Sequence, residues 1–158
     1  MDKSLKSLIG LLEERSQTLS IAESCTSGLL SAQLGQFPGV SNIFLGGVVS
    51  YSNDSKQNLL DVPASLIKAV GAVSTPVALQ MARGVREKFH SSWSISITGI
   101  AGPSGGTEQK PVGTVCFGIV GPGIEESSSQ CFKGERKEIQ NLSARFAVDF
   151  LTKCLSDS

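Results

Sequence analysis

The chain has 158 residues, 40% of them hydrophobic, and fourteen basic side chains balance fourteen acidic ones. That length and apolar content suit one domain over residues 1–158 with a real core. The balanced charge lacks the basic excess of a nucleic-acid binder, and no apolar run nears the roughly 20 residues that cross a bilayer.

Leu5, Leu8, Ile9 and Leu12 recur at helical spacing, so the chain opens with a helix over roughly residues 2–15, with no signal-peptide core. Leu19-Ser20-Ile21-Ala22 alternates as a short strand, and Leu29, Leu30 and Leu34 mark an amphipathic helix after it. Phe37-Pro38-Gly39-Val40 turns the chain, and Ile43 to Ser50 reads as a second strand. Ser52 or Asn53 caps a short helix carrying Leu59 and Leu60, and Pro63 opens another that Gly71 ends. Ser74-Thr75-Pro76 starts a longer helix whose Val77, Met81, Val85 and Phe89 face the core; His90 lies just past its end, in solvent.

Trp93 to Thr98 is a strand that runs into a loop, Gly99 to Thr107, rich in glycine. Val112 to Val120 and about Glu126 to Phe132 form an antiparallel hairpin around Gly121-Pro122-Gly123. Ile139, Leu142, Phe146 and Phe150 mark a closing helix. Strands alternating with helices, plus one late hairpin, predict an α/β fold: a three-layer α/β/α sandwich on a mixed, mostly parallel sheet.

Ala22-Glu23-Ser24-Cys25-Thr26-Ser27-Gly28 falls between the first strand and its helix, where open α/β sheets bind ligands. A helix N-terminus there favours an anion or a developing oxyanion, and Ser24 and Cys25 offer nucleophiles. On these residues alone the plainer reading is that Ser24 or Thr26 caps the helix. Tyr51 and Lys56 lie at the next strand end and in the turn beyond it, either facing a site or simply at the surface. Bare N–H groups of the glycine loop can wrap a phosphate, although the loop lacks the Gly-Lys-Ser/Thr ending of a Walker loop. Lys110 is a phosphate partner or a solvated charge. Cys25, Cys116, Cys131 and Cys154 form no C-x-x-C pair and His90 is the only histidine, so no His/Cys zinc site and a reducing cytoplasmic setting are expected.

Three segments together, Ala22 to Thr26, Tyr51 to Lys56, and Thr98 to Pro103 continuing through Gly105-Gly106 to Lys110 and Val115, resemble the CinA C-terminal domain family. The resemblance spans nearly the whole chain. It implies an α/β/α fold, commonly a homodimer, and hydrolysis of the carboxamide of nicotinamide mononucleotide to nicotinate mononucleotide and ammonia, as in the family's stand-alone nucleotide amidohydrolases. No metal or organic cofactor is implied.

An amide is a poor electrophile and ammonia a poor leaving group, so that chemistry needs an activated nucleophile, a proton shuttle and oxyanion donors. With one histidine outside the motifs, a Ser-Lys arrangement is the expectation. Ser24 is the expected nucleophile, with the family placing that role on the serine, and Lys56 its base. Tyr51 is expected to hydrogen-bond within the pair, and the N–H groups of Cys25 and Thr26 to hold the oxyanion. Thr98, Gly99, Gly102, Gly105, Gly106 and Lys110 are expected around the nucleotide. Cys25, with a thiol acidified by the helix end, is the alternative nucleophile. Two positions depart from the family pattern: Ser27 replaces a usual glycine, and Gln140 stands where many relatives have an arginine. They motivate two other readings, a silent nucleotide-binding or regulatory module and an amidase of a different small amide.

Overall fold

The computed structural model describes residues 1–158. Five strands form one sheet in the order β2-β1-β3-β4-β5. They are β1 (Leu19–Glu23), β2 (Phe44–Val49), β3 (Trp93–Gly99), β4 (Thr114–Gly121) and β5 (Ile124–Cys131). β1 pairs in parallel with β2 and with β3, while β4 and β5 continue the sheet antiparallel. The hairpin closes on Pro122-Gly123, with Gly123 at φ 72°, the residue order that a tight turn with one left-handed centre requires.

Helices cover both faces. α1 (Asp2–Glu14), α2 (Leu29–Leu34) and α6 (Arg136–Ser156) lie on one; α3 (Asn53–Leu60), α4 (Ala64–Val70) and α5 (Thr75–Phe89) lie on the other. The three-layer architecture follows from the alternation of β3. Trp93, Ile95 and Ile97 join the large apolar core beneath α1 and α6. Ser94, Ser96 and Thr98 face the other way, and their hydroxyls donate to the carbonyls of Ala82, Ala78 and Ala72. Small residues let α5 sit close: a Cβ on Gly118 would lie 2.5 Å from the Ala78 carbonyl oxygen. The smaller core there holds Leu60, Val62, Ile67, Val77, Met81 and Val85.

The helix after β1 begins at Leu29, where its apolar spacing starts, and residues 24–28 form the turn before it. One expectation changes. On α6 the inward face runs through Ile139, Ser143, Ala147 and Leu151, whereas Leu142 is exposed. Small residues belong to that stripe because α6 packs closely, so counting large apolar residues misplaces it.

Candidate active site

The carboxyl ends of β1, β2 and β3 meet in one place. Ser24 N–H donates to the Ile97 carbonyl, and Ser50 N–H donates to the Glu23 carbonyl, so both chain exits are held by the neighbouring strand. The turn that follows is built on Glu23. Its buried carboxylate accepts from the N–H groups of Gly28, Leu30 and Ser31 and from the Ser31 hydroxyl. Glu23, not Ser24 or Thr26, therefore satisfies the start of α2 and meets its positive end. The expected anion site on that dipole is already filled by the protein.

Ser27 sits in the turn at φ 52° and Gly28 at φ 92°. A left-handed backbone is strained for serine and free for glycine, so the turn keeps its shape at a local cost. Ser27→Gly is expected to raise unfolding stability by about 0.5–1 kcal/mol, part of the relief being lost to the looser unfolded chain. Urea denaturation checks this; an unchanged or lower midpoint contradicts it.

Ser52 caps α3 by accepting from Ser55 N–H, and the Ser55 hydroxyl contributes to the reciprocal capping box. That start places Lys56 and Leu60, one turn apart, on the inward face. Lys56 is 2% exposed, and its Nζ lies 2.9 Å from Ser24 Oγ, 2.8 Å from the Ser50 carbonyl and 3.4 Å from the Tyr51 carbonyl. No carboxylate pairs with it. Burial therefore pulls its pKa from 10.5 down to about 8, opposed only by the nearby Cys25. As an ammonium, Nζ donates to all three oxygens. As a free amine it keeps two N–H bonds for the carbonyls and turns its lone pair to the Ser24 hydroxyl. This is the geometry of a base poised on a nucleophile.

The turn also offers donors. The backbone N–H groups of Cys25 and Thr26 reach no protein acceptor, whereas those of Ser24, Ser27, Gly28 and Leu29 are all engaged. The Cys25 thiol behaves opposite to the expectation: burial pushes it up to about 12. The helix end that was to acidify it starts four residues later, at Leu29, and faces Glu23.

Other expected partners take different places. Tyr51 meets Lys56 only through its backbone carbonyl; its side chain, 55% exposed, accepts a 2.7 Å bond on its hydroxyl from Arg136. Tyr51 lies two residues past the end of β2 at Val49, and its hydroxyl is engaged by Arg136 of α6 rather than by the Ser24–Lys56 pair. Lys110 Nζ donates to the Val70 carbonyl at the end of α4, so Lys56 and not Lys110 is the lysine at Ser24. Thr98 is buried with its hydroxyl given to Ala72, and Gly99 is paired with Val115 inside the sheet. Gly102, Gly105 and Gly106 do form an open loop whose N–H groups reach no protein acceptor. Gly106 packs against Val112, where a Cβ would lie 2.6 Å from the backbone nitrogen.

Between that loop and the start of α6 lies a cleft of about 830 Å³, lined by Ala101, Pro103, Val112, Arg136, Lys137 and Gln140 among others. Arg136 donates to the Gly102 carbonyl at 2.8 Å as well as to Tyr51. Gln140 donates to the Cys25 carbonyl at 2.8 Å. Arg136 and Lys137 have no carboxylate partner, and with Glu135 on the same wall the cleft lining carries one net positive charge. Residues 136, 137 and 140 were not among the expected site residues. The polar positions interrupting the apolar stripe of α6 were the available signal. No three His, Cys, Asp or Glu side chains gather in a metal-binding cluster, and no helix is long and apolar enough to cross a membrane.

Comparison with known proteins agrees along the whole chain. A family profile described as the CinA C-terminal domain matches residues 1–155. A CinA-like protein of Prochlorococcus marinus is 51% identical over 146 residues, covering 91% of this chain and 34% of the relative. One from a Cyanothece species is 51% identical over 158 residues, 98% of this chain and 38% of the relative. The chain thus spans little more than a third of these curated relatives. Among solved structures, competence damage-inducible protein A of Klebsiella pneumoniae superposes with a TM-score of 0.94 at 30% identity, covering 98% of this chain and 96% of that one. A competence/damage inducible protein of Agrobacterium tumefaciens gives 0.90 at 32% identity, covering 98% and 94%.

Proposed function

Because the chain belongs to the CinA C-terminal domain family, we propose that it hydrolyses the carboxamide of nicotinamide mononucleotide, releasing ammonia and nicotinate mononucleotide. The observation that carries this reading is the buried Lys56 amine 2.9 Å from the Ser24 hydroxyl with no acid beside it. With a pKa of about 8, roughly a tenth of Lys56 is free amine at pH 7, against a few in ten thousand for an ordinary lysine.

In this scheme Ser24 Oγ attacks the carboxamide carbon as its proton passes to Lys56. The carbonyl oxygen gains negative charge against the N–H groups of Cys25 and Thr26. Lys56, now an ammonium, protonates the departing nitrogen, and ammonia leaves an acyl-Ser24 ester. Water then attacks that ester, gives its proton to Lys56, and frees the acid and the serine. The positive cleft wall at Arg136 and Lys137, opposite the free N–H groups of the glycine loop, suits an anionic nucleotide rather than a neutral amide.

The test is ammonia release from purified protein given nicotinamide mononucleotide or free nicotinamide between pH 6 and 9.5. The expected result is release specific to the nucleotide. Its kcat/KM should climb about tenfold per pH unit below 8 and level off above, since the active base is the unprotonated amine. Equal rates on both amides would defeat the substrate, and a flat profile would defeat the base.

A further inference from the structure

We propose that Gln140 is a positioning residue for the oxyanion site: its side-chain amide, carried on α6, fixes the Cys25–Thr26 peptide so that Thr26 N–H faces the atom under attack at Ser24. The inference rests on the reading of Ser24 as nucleophile, but not on the identity of the substrate.

The turn's own backbone leaves one place open. Ser27, Leu29 and Ala32 N–H groups bind the carbonyls of Ser24, Thr26 and Gly28. The Cys25 carbonyl has no backbone donor. Its one partner is Gln140 Nε2, 115 residues away in sequence.

That peptide is trans, so its C=O and N–H point in opposite directions. The carbonyl faces α6, on the sheet face shared with α1 and α2. The Thr26 N–H therefore points away from α6, while α3 on the other face of the sheet carries Lys56 onto Ser24. It is also one of the two turn N–H groups with no protein acceptor. A carbonyl that accepts a hydrogen bond polarises its own peptide and strengthens the N–H donor at the other end. Gln140 thus acts on the oxyanion donor in direction and in strength while touching neither Ser24 nor Lys56.

The experiment uses the whole chain with wild type, Gln140→Leu, Gln140→Glu and Gln140→Arg. Leucine removes the donor at similar volume, glutamate sets a carboxylate against the carbonyl, and arginine retains an N–H at that reach. Two rates are measured. One is ammonia release from nicotinamide mononucleotide, separated into kcat and KM. The other is phosphonylation of Ser24 by a fluorophosphonate, followed by mass spectrometry. In that reaction Ser24 Oγ bonds phosphorus, fluoride departs, and the hydroxyl proton goes to Lys56. The phosphoryl oxygen draws on the same N–H donors, whatever the natural substrate.

The expected result is a loss of about tenfold or more in phosphonylation rate and in kcat for the leucine and glutamate variants. KM should stay within about twofold, and the arginine variant should recover most of both rates. Wild type that is labelled in a Gln140-dependent way but releases no ammonia would remove the substrate reading and leave this one standing. Labelling of the leucine variant at the wild-type rate would overturn the proposal. So would a raised KM with kcat intact, which assigns Gln140 to substrate binding. Equal loss in all three variants, arginine included, would assign it to packing alone, and a wild type that is not labelled at all would also overturn it.

Discussion

Lys56→Met is expected to slow ammonia release by about 10³-fold, the range a positioned general base supplies. The same change should leave a pH signature in stability. Folded Lys56 has a pKa of about 8, and the unfolded chain returns it to 10.5. Below pH 8 both states carry the proton and the folded state bears the full cost of a buried charge. Between 8 and 10.5 the unfolded state binds more protons, so stability rises with pH. Wild type should therefore gain about 2–3 kcal/mol relative to the variant across that window, since the other titrating groups are common to both. Urea denaturation of both proteins at pH 7, 9 and 10.5 gives the difference directly. A gap that does not change with pH would mean that Lys56 is not perturbed and cannot serve as the base proposed here.

Ser24→Ala is expected to cost more, about 10⁴-fold or beyond in kcat, because no other group can take over covalent attack. Cys25 is next in the chain and intrinsically the better nucleophile, yet its thiol titrates near 12 and stays protonated at any working pH. The substitution should leave the fold intact: Ser24 N–H keeps its bond to Ile97, and only the hydroxyl contact to Lys56 is lost. The check is single-turnover ammonia release with matched thermal unfolding. A rate within tenfold of wild type would move the nucleophile elsewhere, with Cys25 the first candidate despite its burial.

The approach of Lys56 to Ser24 was legible because each lies in the segment that follows a strand, where a short local pattern places it. Ser24 follows an alternating run, and Lys56 follows a serine cap one turn from Leu60. What could not be read locally was which way each polar group is spent. Thr98 and Lys110 look available in sequence, but each reaches a helix-end or loop carbonyl that only the packed α4–β3 layer supplies. Tyr51 was expected on the pair and instead meets Arg136, whose approach depends on how α6 lies across the sheet. The expected acid thiol at Cys25 failed for the same reason. The start of α2 is set by the carboxylate of Glu23, a residue that reads only as the end of a strand. Gln140 was noticed as a departure from the family pattern, and its contact with Cys25 is a tertiary fact that periodicity on α6 cannot convey.

The spacing of these contacts along the chain bears on the order of synthesis. Ser24 and Lys56 lie 32 residues apart, and both have been translated before the second half of the chain exists. The donor that holds the Cys25 carbonyl follows 115 residues after it, on the last helix. β3, which anchors Ser24 through Ile97, comes between. The Ser24–Lys56 contact thus joins two early segments of the chain, and the Cys25 carbonyl gains its one side-chain partner only from the closing helix.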